Sequence, residues 1–402
     1  MPAYPVRRVA AMHDLSCFGR GSLTTILPVL SVLGVQVLPL PTTLLSTHTG
    51  GFEGFTFTDL TPELYKIANH WEKLGIRPDA IYTGFLSGAA QCDFIEDFIT
   101  RFGGADTLTL IDPVMGDDGE LYSQSTGALV DRMRELCRRA DIIVPNLTEA
   151  CLLCEVPYPD TAAMSPSALT ACITALLDRL TALGPRRAVI TGIVTDRASG
   201  VSTAGIDRSP AALDPAPFFV NLPRIGGMYP GTGDLFAAVL VGKLLTGTRF
   251  AAAVTAASAF VRDVIAYSAA FDTPHRDGVL LEPCLHKLAE ILEKALCGAL
   301  FCAAGRQRPT AKATGRRGRR PAHPPFKVLG KGAGETFVYE SFPRFSFLFQ
   351  LFLRHTHGAQ RVGHGQEADA DIAEHGDPQI GDAERRQDHD AELDDQRKYD
   401  VL

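Results

Sequence analysis

An aspartate at position 234 stands between a glycine-rich turn and an apolar helical run, in GGMYPGTGDLFAAVLVGKLLTG. Gly231 and Gly233 let the backbone turn tightly, and converging N–H groups at the start of a helix form a site for anions, phosphate above all. The same field keeps a carboxylate ionised, so Asp234 is able to accept a proton at neutral pH. Asp is also a common helix cap, and this segment alone does not decide between the two interpretations.

A second acidic segment is LIDPVMGDDG, in which Asp112 ends an apolar strand and Asp117 lies in a glycine-rich turn. Ligands of open parallel sheets bind at the carboxyl ends of the strands, so Asp112 is placed for an ion or a phosphate. A turn carboxylate without a ligand is the alternative.

The segment IIVPNLTEA repeats this arrangement, with Asn146 after a strand and Glu149 three residues later. This spacing also fits a helix-capping box, which stays open as an alternative. Taken together, Asp112, Glu149 and Asp234 form the oxygen-rich set that a magnesium nucleotide needs.

Short apolar runs alternate with amphipathic ones from residue 6 to residue 290. Predicted strands lie at 6–12, 35–40, 80–85, 107–113, 141–146 and 187–193, and predicted helices at 21–33, 62–74, 91–102, 125–138, 148–154, 165–183, 234–246, 249–268 and 283–296. This alternation predicts an α/β fold with a mostly parallel sheet covered on both faces, and segment 197–224 is expected to add antiparallel hairpins.

The composition excludes several classes of protein. With 402 residues and a net charge of −7, the chain is large enough for a sizeable core and is unlike a nucleic-acid binder overall. The nine cysteines show no zinc-site spacing. The N-terminus lacks signal-peptide features, and Pro28 and Gly34 interrupt the apolar stretch 22–40, so we expect a cytoplasmic protein without a membrane span.

The sequence changes character after about residue 297. RQRPTAKATGRRGRR is basic, and from residue 356 polar and charged residues dominate without apolar periodicity. We therefore divide the chain into a domain at 1–296 and a low-complexity, disordered tail at 297–402, of the kind that an out-of-frame extension would give. Nucleic-acid binding by the basic run is the alternative function for this tail.

The order of these motifs resembles the ribokinase-like kinases, and residues 16–50, with STHTG at 46–50, narrow the resemblance to the pyridoxal kinase branch. It covers residues 6 to 290 and implies a three-layer α/β/α sandwich. It also implies transfer of a phosphoryl group from MgATP to the 5′-hydroxyl of a vitamin B6 compound, a homodimer, and a monovalent cation as an additional ion to be tested.

The resemblance assigns roles to individual residues. It implies Asp234 as the base and the amides of Gly231, Thr232 and Gly233 as the site for the migrating phosphoryl group. Asp112, Asp117 and Glu149 would act on Mg²⁺ and the triphosphate, mostly through water. The residues implied along the nucleotide are Asn146, Thr191, Gly192, Gly226 and Gly227, and those near the pyridine ring are Asp14, Ser16, His48, Thr49 and Phe85.

Some positions depart from the family pattern. Asp14 stands where many relatives have serine, and an acid there suits a protonated ring nitrogen or an aminomethyl group; a loop acid near solvent is the alternative. Phe85 replaces a tyrosine, and Gly51 follows HTG where an aromatic residue is common, which opens the pocket. For His48, a loop histidine with its own hydrogen-bond partners is the alternative.

Two rival functions follow from the same residues. A hydroxymethylpyrimidine kinase of this superfamily would have a sequence like GTGC at the position where this chain has GTGD. It would also lack the STHTG segment. A vitamin-binding relative without catalysis would not need Asp234 and the acids at 112 and 149.

Removal of residues 300–402 should leave kinase activity intact, because every motif with a chemical role lies before residue 290. Steady-state assays of the truncated and full-length proteins measure this. A truncated protein that is folded by circular dichroism but inactive would contradict the division.

Overall fold

The computed structural model describes residues 5–161, 163–196 and 200–289. Its strands are β1 (Arg8–Ser16), β2 (Gln36–Leu45), β3 (Phe57–Asp59), β4 (Ala80–Thr83), β5 (Leu108–Ile111), β6 (Gly116–Asp117), β7 (Glu120–Leu121), β8 (Ile142–Ile143), β9 (Arg187–Asp196), β10 (Gly200–Asp207) and β11 (Phe218–Pro223). Its helices are α1 (Ser22–Val32), α2 (Thr61–Lys73), α3 (Ala89–Phe102), α4 (Gly127–Cys137), α5 (Leu147–Cys154), α6 (Pro166–Ala182), α7 (Thr232–Leu245) and α8 (Phe250–Ser268).

Nine of these strands form one sheet in the order β11-β10-β9-β8-β5-β4-β1-β2-β3. The six strands from β9 to β2 are parallel to one another, and only β3, β10 and β11 run antiparallel to their neighbours. The predictions of a mostly parallel sheet and of antiparallel hairpins within 197–224 are confirmed.

Helices cover both faces of the sheet. Side chains of β1 alternate between two cores: Val9 and Ala11 pack with the residues of α1, α7 and α8, whereas Ala10 and Met12 pack with those of α2 to α6. Alternation of this kind follows from the two-residue period of a strand. The three-layer α/β/α sandwich is thus confirmed.

Strands β1 and β2 are longer than the hydrophobic pattern predicts. β1 continues through the polar residues His13 and Asp14 to Ser16, and all three side chains are buried. β2 passes through Pro39 and Pro41, which lack an N–H donor. They are tolerated because β3 pairs with β2 only over residues 43–45, so the prolines lie where β2 is an edge strand.

Within the described residues, Phe250–Ser268 (α8) is the helix long and apolar enough to cross a membrane. In this fold it is a core helix: Val254, Ala257 and Val264 pack into the core shared with α1 and α7. The length and apolar character of α8 are therefore explained by its packing in the core.

Three predictions concern residues outside the described ranges. They are the end of the predicted helix at 283–296, the boundary at residue 296, and the tail at 297–402.

Candidate active site

The glycine turn at 231 joins a loop to helix α7. Gly231 is left-handed, with φ of 79°, and an added Cβ would lie 2.1 Å from the carbonyl oxygen of Arg20. Only glycine fits both conditions. Thr232 begins α7, so the N–H groups of its first turn have no partner within the helix and are available to an anion.

The carboxylate of Asp234 points away from its own helix. Its Oδ2 accepts a hydrogen bond of 2.8 Å from the main-chain N–H of Ser22, and its Oδ1 lies 3.8 Å from Nδ1 of His13. The N-cap of α7 is Gly231, and no side chain caps this helix. The helix-capping alternative for Asp234 is therefore wrong.

Burial sets the protonation of Asp234. It raises the pKa of this carboxyl from 3.8 to about 7, the charge of Asp14 acts in the same direction, and the Ser22 N–H opposes both. A carboxyl with a pKa near neutrality ionises at physiological pH and is still basic enough to take a proton from an alcohol in a transition state.

Asp112 lies behind this site, directly after β5, and is only 6% exposed. Burial raises its pKa well above the usual range, and the charges of Glu149 and Asp234 raise it further. Asp112 is thus close enough to both Glu149 and Asp234 to be repelled by their charges. A turn carboxylate without a ligand, the alternative for Asp112, does not explain why this buried acid lies near two other acids.

Asn146 and Glu149 form the capping box at the start of α5. Oδ1 of Asn146 accepts from the Glu149 N–H at 2.9 Å, and Oε2 of Glu149 accepts from the Asn146 N–H at 2.8 Å. The other oxygen of Glu149 accepts from the Met115 N–H at 3.0 Å. The two residues therefore do form the helix cap that was left open as an alternative. Glu149 is nevertheless a buried acid, and burial raises its pKa to about 8.

The β6–β7 hairpin carries Asp117 at this end of the sheet. The side chain of Asp117 accepts a hydrogen bond from the Asp118 N–H at 2.9 Å, and the Asn146 amide donates to the Gly116 carbonyl at 2.7 Å. Asn146 therefore fixes the base of the hairpin. Sequence reasoning took this segment as a turn and missed the hairpin.

The acids at this end of the sheet do not form a closed metal site. Across the described ranges, no three His, Cys, Asp or Glu side chains lie close enough together to hold a metal by themselves. Repulsion among the buried acids nevertheless favours a cation nearby, since opposite charge lowers their pKa. The set fits an ion that keeps water and phosphate oxygens as ligands, as Mg²⁺ commonly does.

Asp14 is a buried strand residue, 4% exposed, rather than a loop acid near solvent. Its two oxygens accept hydrogen bonds from the hydroxyls of Ser22 at 2.5 Å and Ser16 at 2.7 Å. Burial raises its pKa, and these hydroxyls oppose the shift. The structure thus brings together two predicted ring-binding residues, Asp14 and Ser16.

His48 has partners for both ring nitrogens. Nδ1 accepts from the Gly50 N–H at 3.1 Å, and Nε2 lies 2.7 Å from the Arg276 carbonyl oxygen, which makes Nε2–H the donor. The ring packs against Gly19 and edge-on against Phe52. The structure therefore supports the loop-histidine alternative, and what His48 has left to offer a ligand is its ring surface.

The side chains of the two other residues predicted near the ring, Thr49 and Phe85, are held less firmly than those of Asp14 and His48. Thr49 is half-buried beside His48. Phe85 is half-buried after β4, and its carbonyl oxygen accepts from the Thr42 hydroxyl at 3.4 Å.

The residues predicted along the nucleotide lie on three segments, the first of which carries Asn146 at the start of α5. Thr191 bridges to the main chain of Asn146, and Gly192 follows with φ of 68° and open space beside it. Gly226 packs on α8, and Gly227 against His275, in the loop that leads to Gly231. Thr191 is thus joined directly to the acidic end of the sheet.

Sequence reasoning missed His13 and Ser22, the two residues that face the Asp234 carboxylate. His13 is fully buried, its ring nitrogens have no hydrogen-bond partner, and its ring packs edge-on against Tyr82. Burial lowers its pKa to about 3, against a weaker opposing effect of the Tyr82 backbone, so the ring is neutral. For His13, the available signal was a polar residue that directly follows the apolar residues of β1.

The fold is that of the ribokinase-like kinases, which are phosphotransferases. Residues 29–278 match the family model described as phosphomethylpyrimidine kinase. The chain belongs to this family, and its similarity to pyridoxal kinases confirms the branch that the sequence motifs indicate.

Three relatives show the extent of the similarity. A Bacteroides thetaiotaomicron protein assigned to the phosphomethylpyrimidine kinases, crystallised with pyridoxal, is 39% identical, with a TM-score of 0.65 over 70% of this chain and 96% of its own. Pyridoxal kinase from Lactobacillus plantarum is 32% identical, with a TM-score of 0.63 over 72% and 98%. The pyridoxal kinase of Vibrio vulnificus is 28% identical over 54% of this chain and 71% of its own.

Asp234→Asn should stabilise the protein more at pH 8 than at pH 5.5. The folded pKa of about 7 lies above the ordinary 3.8, so the stability that Asp234 contributes is fully present below pH 3.8 and is lost as pH rises through 7. Asparagine does not ionise and escapes this loss. Thermal melts of the variant and the wild type at both pH values measure the difference in Tm. Each kcal/mol of added stability should raise Tm by roughly 2–4 °C.

The matched control is Asp106→Asn, which removes an exposed carboxylate in the turn after α3. It should follow the wild-type pH dependence. Equal shifts for the two variants would contradict burial as the cause.

Proposed function

We propose that the protein is a kinase that transfers the γ-phosphoryl group of MgATP to the 5′-hydroxyl of pyridoxal, pyridoxamine or pyridoxine. The observation that carries this proposal is the Asp234 carboxylate, held by the Ser22 N–H beside the open N-terminus of α7. A base and a set of main-chain donors thus share one small region, as transfer of a phosphoryl group to an alcohol requires.

In this proposal Asp234 takes the proton of the 5′-hydroxyl. The amides of Gly231, Thr232 and Gly233 hold the phosphoryl group as charge builds on its oxygens. Asp112, Asp117 and Glu149 would hold Mg²⁺ through water, and the bound ion supplies charge that neutralises the triphosphate. Most of the rate would come from alignment of the alcohol with the phosphoryl group.

The nucleotide would lie against Asn146, Thr191, Gly192, Gly226 and Gly227. The bridge between Asn146 and Thr191 supports this placement, because it puts Thr191 beside the acids that would serve the triphosphate.

The vitamin ring would lie on the opposite side of Asp234, near Asp14 and Ser16, with His48, Thr49 and Phe85 around it. The raised pKa of Asp14 falls again when a cationic group approaches, so the acid favours a ligand with a protonated nitrogen.

Hydroxymethylpyrimidine phosphorylation is the second candidate, because the matching family model is described as phosphomethylpyrimidine kinase, which names a related pyrimidine compound. The aspartate of GTGD and the segment STHTG favour the B6 compounds. An assay of ATP-dependent phosphorylation with pyridoxal, pyridoxamine and hydroxymethylpyrimidine decides between them. Turnover of the pyrimidine alone would contradict the proposal, and binding without turnover would indicate the inactive vitamin-binding relative.

The remaining family expectations belong to the same proposal. We infer a cytoplasmic homodimer that needs neither a membrane nor a nucleic acid, and a monovalent cation is an additional ion to be tested. Light scattering measures the assembly, and assays in potassium, sodium or choline chloride measure the ion requirement.

Asp234→Asn should lower kcat by about 10²- to 10⁴-fold, the usual contribution of a general base. KM should change little, because asparagine has the same shape and still accepts the Ser22 N–H. Steady-state kinetics with pyridoxal measure both constants, with Asp106→Asn as the charge-matched control. Turnover close to the wild-type value would remove Asp234 from the mechanism.

Asp14→Ser should lower kcat/KM for pyridoxamine more than for pyridoxal. Serine keeps a hydroxyl but loses the negative charge that pairs with the aminomethyl group. The ratio of kcat/KM for the two compounds is the measurement, and an unchanged ratio would rule out recognition of the amine by Asp14.

A further inference from the structure

Ser22 contacts both carboxylates of the candidate site. Its main-chain N–H donates to Oδ2 of Asp234 at 2.8 Å, and its hydroxyl donates to Oδ1 of Asp14 at 2.5 Å. Ser22 therefore lies between the two acids and hydrogen-bonds to both. The residue is 8% exposed, so water competes little for either bond.

The backbone of Ser22 is in an unusual conformation. Its φ is 47°, in the left-handed region that favours glycine, at the point where the chain enters α1. Strained residues of this kind persist where their surroundings fix them, and they cluster at functional sites. Glycine would adopt the conformation freely, so what serine adds is its hydroxyl.

The turn before Ser22 also packs on the glycine turn. An added Cβ on Gly231 would lie 2.1 Å from the Arg20 carbonyl oxygen and 3.0 Å from the Gly21 Cα. Residues 20–22 and the start of α7 are therefore in close contact, and a shift of one turn displaces the other.

We propose that Ser22 is a positioning residue that ties the substrate-facing acid, Asp14, to the catalytic base, Asp234, and holds the two carboxylates at a fixed separation. This inference rests on the proposed function. Through Ser22, a substrate that settles against Asp14 also fixes the N–H that orients Asp234, so binding of the ring and alignment of the base occur together.

Ser16 offers a matched comparison. Its hydroxyl donates to the other oxygen of Asp14 at 2.7 Å, so its single hydroxyl hydrogen is used at Asp14 and not at Asp234. Removal of either hydroxyl takes one donor from the same buried acid. Only removal at position 22 also disconnects Asp14 from the residue whose main-chain N–H holds the base, and that N–H stays in place in every variant.

The experiment compares Ser22→Gly with Ser16→Ala in steady-state kinetics with pyridoxal and pyridoxamine. Glycine suits the left-handed backbone, so Ser22→Gly should fold, and Ser22→Ala provides a second variant that keeps the backbone constraint. Loss of a hydrogen bond to a buried carboxyl group should raise KM about tenfold in all three variants. In addition, kcat should fall at least threefold more in the Ser22 variants than in Ser16→Ala.

The outcomes separate this inference from the proposed function. A KM increase alone, equal in Ser22→Gly and Ser16→Ala with matching kcat, would overturn the link to Asp234 while leaving the kinase assignment in place. Lower melting temperatures with wild-type kcat and KM would reduce Ser22 to a structural role and overturn the inference as well. Failure of the wild-type protein to phosphorylate any B6 compound would overturn the proposed function and this inference with it.

Discussion

The hydrogen bond from the Ser22 N–H to the Asp234 carboxylate is the interaction on which the site depends. A carboxylate that is 14% exposed and close to other acids is unfavourable, and one main-chain donor offsets only part of that cost. The result is a carboxyl group that ionises near neutral pH. The same burial that destabilises the charged side chain makes it useful for proton transfer, so stability and activity are opposed at this position.

The fold maintains this unfavourable arrangement from two directions. Strand β1 carries His13 and Asp14 past the end of the apolar pattern into the site, and α7 brings the glycine turn against the loop before α1. Both elements are anchored in apolar cores on the two faces of the sheet. The strain at Ser22, on the order of 1–3 kcal/mol, is small beside what these cores supply.

The sequence predicts the layers, the direction of most strands and the acids at the strand ends, because hydrophobic periodicity and strand order determine these features. It does not predict where side chains point. The sequence leaves Asp234 either as a helix cap or as a base, and only its contact with Ser22 rules out the cap. Asn146 and Glu149 cap a helix and also lie at the candidate site. His13 and Ser22 were missed because their roles depend on contacts between residues more than 200 positions apart.

The pH dependence of kcat/KM for pyridoxal tests the central claim most directly, because this constant reports the pKa values of the free enzyme. If Asp234 is the base, kcat/KM should be half-maximal near pH 7, fall about tenfold per pH unit below it, and level off above it. The Asp234→Asn protein should lose this acidic limb. A wild-type profile that is flat from pH 5.5 to 8, or an acidic limb that persists unchanged in the variant, would contradict the account.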